Sequence, residues 1–337
     1  MQRIMTAICA VLFFTPLEAS IAESLSVYTH RQPALLEPIL DAYTKQSGVE
    51  FKIVYSPKGL VQRLQSEGSA TPADLVITVD INRVYELSKT DLLATLSSSK
   101  INKQVPAHLR DKNDKWTGLS LRARIAAVST QRVSQSEVSS LADFAEPRLK
   151  GRVCTRKGSH VYNRALLASI IANDGDAAAR KWAKGLVKNL ARKPQGNDRA
   201  QAKAIYSGEC DVALMNTYYY GKMKFNNKNP EQKKWAESLR LVFLDQKGRG
   251  QHVNISAAAV LKASKKQAAA VEFIEWLTSP EAQLLYTEVN YEYPVNPKVN
   301  PSKEVASWGR FKIDEVSLTD IAKNTPLAQM IINETGW

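Results

Sequence analysis

From Leu25 onward the chain alternates short apolar runs with stretches whose apolar residues recur at helical spacing. LSVYT, VEFKIVYS and ADLVITV read as strands, separated by a helix through Leu35, Ile39 and Tyr43 and by a second over 60–65. Apolar positions three and four apart mark one face of a helix, whereas short apolar runs bounded by turn residues mark strands. The order β-α-β-α-β predicts a parallel sheet with right-handed crossovers. One long strand over 116–130 then leads away from this unit, and a second βα series opens at Gly151 with helices over 162–172, 177–190 and 199–206. Strands over 239–244 and 253–261, a helix over 265–277 and a helical tail over 318–332 complete the pattern. The 253–261 strand is placed to return the chain to the first unit, and two crossings between α/β units make a hinge with a cleft between them. The expected division is a first lobe of 23–125 plus about 252–310, a second lobe of 126–251, and a C-terminal tail of 311–337.

The stretch CDVALMNTYYYGKM, Cys210 to Met223, stands out within that pattern. Its apolar run over 211–215 suits a strand covered on both faces. Asn216 or Thr217 offers a side-chain oxygen as N-cap, so Tyr218, Tyr219 and Tyr220 should open a helix. In doubly wound sheets, ligands bind where strands end and helices begin. Consecutive helical residues turn by about 100°, so all three phenols cannot face one cleft. The run alone favours a packed aromatic rim over a site.

Composition narrows the setting. Residues 1–22 read as a secretory signal: Arg3, an apolar run, then Ser20-Ile21-Ala22 before a cut. The mature chain is expected to be exported, periplasmic in a double-membraned bacterium, with no further run long enough to span a bilayer. The chain carries 46 Lys and Arg against 33 Asp and Glu, a formal charge of +13. These charges are scattered without a groove-reading element, which excludes nucleic acid and favours a basic cleft for an anionic solute or complex. Cys154 and Cys210 remain after the signal, each beside a strand of the same half, and could form one disulfide. Without a CxxC spacing they do not make a structural zinc site. GxSxG, Walker and HExxH signatures are absent, Asp80 reads as an N-cap rather than a general base, and no enzymatic activity is expected.

Six segments together carry a family resemblance: VYTHRQP from Val27, PADLVITVDINRV from Pro72, WTGLSLRAR from Trp116, GRVCTRKGSHVYNRAL from Gly151, ARKPQGNDRAQAKAI from Ala191 and NTYYYGKM from Asn216. Across its mature length the chain resembles periplasmic ferric-ion-binding proteins of ABC iron-uptake systems. The pairing of GSxxYN with NxYY is the specific part, while FIEWLTSPEAQ and YEYPVNP are shared more widely by solute-binding proteins. The resemblance implies an α/β fold of two lobes, a type II periplasmic binding protein like a transferrin lobe, with iron held by the phenolates of Tyr162, Tyr218 and Tyr219. Fe3+ is a hard cation that favours anionic oxygen, and a coordinated metal lowers a phenol's pKa enough to remove its proton. Tyr220 falls outside the NxYY pairing and is expected to pack.

Three phenolates leave part of a six-position sphere open. The loop Thr29-His30-Arg31-Gln32-Pro33 lacks the histidine-tyrosine pair of some relatives, so the chain resembles the subgroup using tyrosines with carbonate or bicarbonate. Arg122 is the first choice for holding that anion, because a guanidinium forks onto two oxygens, with Arg31, Thr29 and Gln32 next. Alternation puts Arg122 and Arg124 on the same strand face, and pattern does not separate them. His30 lies beside the expected cleft, read as a loop residue donating a hydrogen bond rather than as a ligand. His108, His160 and His252 have no ligand spacing with one another. The implied partner is an inner-membrane ABC permease, with the protein itself a monomer. A binding protein of the same architecture for an organic anion or other small solute is the alternative, and a ferric chelate bound intact is a third reading.

Overall fold

The computed structural model describes residues 24–337, and the expected signal segment 1–22 lies outside the described residues. The first series runs β1 (Ser24–Thr29), α1 (Pro33–Ser47), β2 (Glu50–Tyr55), α2 (Leu60–Glu67), β3 (Leu75–Thr78), α3 (Ile81–Ser88) and α4 (Ser99–Gln104). β4 (Thr117–Ser129) leads to β5 (Val153–Cys154), α5 (Val161–Lys188), α6 (Asp198–Tyr206), β6 (Val212–Asn216), α7 (Thr217–Lys224), α8 (Glu231–Glu237) and β7 (Leu239–Val242). β8 (Val253–Val260), α9 (Gln267–Leu277), α10 (Pro280–Asn290), α11 (Lys303–Ser307), α12 (Leu318–Lys323) and α13 (Thr325–Thr335) follow.

The strands lie in the order β2-β1-β3-β8-β4-β6-β5, with β7 also on β4. β1 pairs in parallel with β2 and β3, the predicted βαβαβ unit. β8 runs antiparallel to both β3 and β4, so the returning strand makes the sheet mixed. β4 joins the two series: Thr117 to Ala123 face β8, and Arg124 to Ser129 face β6 and β7. All 13 of its residues are buried, as are all of β6 and β8; β6 shows this as an apolar run, whereas β4 carries Arg122 and Arg124 as buried charges.

The expected helices over 162–172 and 177–190 appear as α5, which carries a non-helical residue at Gly175, φ 84° and ψ 173°, a conformation open to glycine alone at low cost. The tail is helical, as expected, but it does more than cover the outside. α12 packs on both α3 and α5, and α13 lies along α5. The backbone carbonyl of Trp337 accepts from the Gly158 N–H at 3.2 Å, which ties the C-terminus to the loop that precedes α5.

Cys154 and Cys210 are joined as a disulfide with a Cα–Cα distance of 5.9 Å. The bridge ties β5 to the residue leading into β6, the two strands that feed the site. Replacing both cysteines by serine should cost about 4 kcal/mol, given the loop that a separation of 56 residues closes. Thermal unfolding of the double variant reads this, and a melting temperature equal to that of the oxidised parent would refute the contribution.

Candidate functional site

β6 delivers the chain to Asn216, which takes the N-cap position of α7 without a side-chain cap. Its groups serve a buried network instead: the Asn216 N–H donates to Asp198 Oδ2 at 2.8 Å, and its Oδ1 accepts from Arg124 Nη1 at 3.1 Å. Arg124 also donates to Asp198 Oδ2 at 2.7 Å and to Asn163 Oδ1 at 2.7 Å. One guanidinium thereby fixes the starts of α5, α6 and α7 relative to one another. Tyr218 and Tyr219 open α7 with rings stacked 4.4 Å apart at 29°. Tyr162 enters from the first turn of α5, where His160 Nδ1 accepts from the Tyr162 N–H at 3.3 Å. The hydroxyls of Tyr162 and Tyr218 stand 3.0 Å apart.

Tyr220 turns away, edge-on to Trp308 at 5.7 Å. Gly221 follows the tyrosines because a Cβ there would come within 2.6 Å of the Tyr291 ring, so α7 lies where it does only with hydrogen at that position. Burial first, then the neighbouring oxygens of Tyr162 and Tyr219, push the Tyr218 phenol well above its usual range. Burial and then Asp198 raise Tyr219 as well. Without a cation, both phenols stay protonated at neutral pH. A cation between them would offset that shift, because its positive charge stabilises the phenolate form that burial disfavours.

These phenols line a cleft of about 310 Å3. Its walls come from the carboxyl ends of β1, β3 and β6, from the start of α5 and from the middle of β4, the edge at which α/β sheets present ligands. Tyr162, Tyr218, Tyr219, Arg122, Arg31, Gln32 and His30 all line it. Thr29 does not: its buried hydroxyl donates to the Ile77 carbonyl and accepts from the Arg31 N–H, both at 2.9 Å, so it shapes the loop. The buried His30 Nδ1 has no hydrogen-bond partner among the described residues, and burial with the nearby Arg83 holds the pKa of the ring down to about 3. The imidazole is therefore neutral. Among the described residues no three His, Cys, Asp or Glu side chains gather as a metal cluster.

The chain matches the bacterial extracellular solute-binding protein family over residues 39–313. It belongs to that family. It is 37% identical to iron uptake protein A1 of Synechocystis over 94% of this chain and 88% of the relative. It is 30% identical to the major ferric iron-binding protein of Neisseria meningitidis serogroup B over 91% of each. Among solved structures it superposes on ferric iron-binding protein A of Mannheimia haemolytica in an open conformation, with a TM-score of 0.87, 43% identity, and 94% of this chain and 99% of that one covered. A Trichodesmium protein in complex with iron and citrate gives a TM-score of 0.89 at 37% identity over 93% and 99%. The fold is thus the α/β type II binding-protein fold that the sequence resemblance implied.

Four charged residues of this solute-binding protein's cleft escape sequence reasoning: Arg83, Arg199, Lys222 and Glu292. Lys222 had a signal, since it stands one helical turn after Tyr218, and its Nζ lies 5.6 Å from that ring centre. Arg199, in the first turn of α6, sits over the Tyr219 ring at 5.1 Å. Glu292 has no local signal. It arrives from the segment after α10 and takes the ends of both Arg31 and Arg122. The cleft therefore combines three phenols with several basic side chains and one carboxylate.

Proposed function

We propose that this protein captures ferric iron outside the cytoplasm and delivers it to an inner-membrane ABC permease. The observation that carries the reading is the convergence of Tyr162, Tyr218 and Tyr219, with two phenol oxygens 3.0 Å apart and the third ring stacked beside them. Its support is the set of relatives named for iron uptake and ferric iron binding, one of them named a periplasmic protein. Three phenolates match the charge of Fe3+ and fill three positions, and the rest are open to an oxyanion or water. Carbonate or bicarbonate is the proposed companion, reaching the iron from the Arg31 and Arg122 side with Gln32 at the rim. The organic-anion alternative would use the arginines and leave three convergent phenols without a role.

In this account iron is passive cargo, and the protein acts as a periplasmic monomer. The first lobe, 23–125 plus about 252–310, closes over iron bound to the second, 126–251, while the tail from 311 spans both. A permease then tells loaded from empty by the ligand-dependent balance of open and closed forms. The direct test is the visible absorption spectrum of metal-stripped protein as ferric iron is added. A phenolate charge-transfer band saturating at one iron per chain is expected, and a folded protein that develops no band would end the proposal.

Arg122→Lys keeps a positive charge but loses the planar fork, so iron binding should survive while its dependence on added bicarbonate weakens severalfold. Titrating bicarbonate into the iron-loaded variant measures this. An unaltered dependence would move the anion to another residue.

A further inference from the structure

The cleft holds a charge arrangement that the phenols do not require. Arg31 comes from the loop after β1 and Arg122 from β4, yet both end on one carboxylate. Arg31 Nη2 donates to Glu292 Oε2 at 2.9 Å and to Oε1 at 3.2 Å, and Arg122 Nη1 lies 3.4 Å from Oε1. The Ser120 hydroxyl donates to Glu292 Oε2, and the Ser256 hydroxyl bonds both guanidiniums. The side chains of Arg31, Arg122 and Glu292 are 2%, 3% and 5% exposed, so the three charges have left water and compensate one another. Two cations and one anion leave the group one unit positive. Each guanidinium also keeps a buried Nε–H that no acceptor among the described residues takes. Donors therefore remain after Glu292 has taken its share.

We infer that Glu292 is the specificity-determining residue for the anion that accompanies the metal: it is a built-in carboxylate on the Arg31–Arg122 pair, against which a small oxyanion of the carbonate class must bind. The inference rests on the reading of the cleft as a ferric site. A carbonate reaching this pair competes for the same N–H forks and meets a like charge a few ångströms away in a dry site, where such repulsion is poorly screened. Glu292 thus weakens the demand for an external anion, because the guanidiniums are already paired without one. It also selects against anions of higher charge, which it repels more.

The test uses the mature protein, its E292Q variant and its E292D variant in buffer purged of carbon dioxide, with ferric iron supplied and sodium bicarbonate titrated. Glutamine keeps the shape and removes the charge. The bicarbonate concentration giving half of the phenolate band is expected to fall about tenfold or more in E292Q, as for removal of one buried like charge. Aspartate retains the charge but is one methylene shorter and withdraws from at least one guanidinium, so the half-saturating concentration should fall less, though measurably. If E292Q does not fold, E292D decides. An equal bicarbonate response in the parent and in the folded variants overturns the inference while leaving the ferric reading intact. A parent that shows no phenolate band at any bicarbonate concentration condemns the ferric reading instead.

Discussion

Tyr218→Phe should abolish most of the phenolate charge-transfer band and lower ferric affinity by more than about a hundredfold, since the loss of even an outer partner of a metal ligand typically costs about 10–100-fold. The substitution removes one oxygen and keeps the ring, so the stack on Tyr219 at 4.4 Å and the packing of α7 against the Tyr291 ring remain. Stability should consequently stay near that of the parent. The hydroxyl lost is also the one facing Tyr162 at 3.0 Å, so the pair of oxygens that would grip the cation is broken. Tyr220→Phe is the control, because Tyr220 packs on Trp308 outside the cleft and its hydroxyl is not a candidate donor. Equal iron retention in Tyr218→Phe and the parent would remove the phenols from the site.

Iron loading should release at least two protons per metal, and ferric affinity should fall by at least about a hundredfold for each unit of pH lowered through the neutral range, tenfold for each proton displaced. The sign follows from the direction of the shifts. Burial raises both Tyr218 and Tyr219, so in the metal-free protein each phenol is protonated well above neutral pH. Binding requires the phenolate, so protons compete with iron, and acid favours release. A pH-stat titration with a ferric chelate, corrected for the chelate's own proton uptake, counts the protons directly. A count below two would show that one of these phenols does not ligate. His30 and His160 add nothing to this count near neutrality, because burial holds both at about 3.

Much of the architecture was legible before any coordinates. The βαβαβ unit, the long β4, the break near Gly175 and the helix opening at the tyrosines follow from apolar period, glycine placement and strand length, all of which act over a few residues. Sheet order is different in kind. That β8 enters between β3 and β4, antiparallel to both, depends on contacts between segments more than a hundred residues apart in sequence, which no local period encodes.

The site divides along the same line. Tyr162, Tyr218 and Tyr219 were identifiable because each stands at a strand-to-helix junction and in a motif, and the sheet brings such junctions to one edge. The two arginines of SLRAR were not separable, since alternation gives them one face. Tertiary structure separates them: β4 passes from β8 to β6 between Ala123 and Arg124, so Arg122 pairs opposite Asn254 and lines the cleft, while Arg124 pairs opposite Asn216 and frames the tyrosine helices from behind. Sequence could propose a guanidinium for an anion, but not that Glu292, 170 residues beyond Arg122, would already hold it. Chemistry of donor type is a property of residue and neighbourhood in the chain, and is written there. Charge balance in a buried cleft is a property of which distant side chains meet after water has been excluded, and only the folded protein decides it.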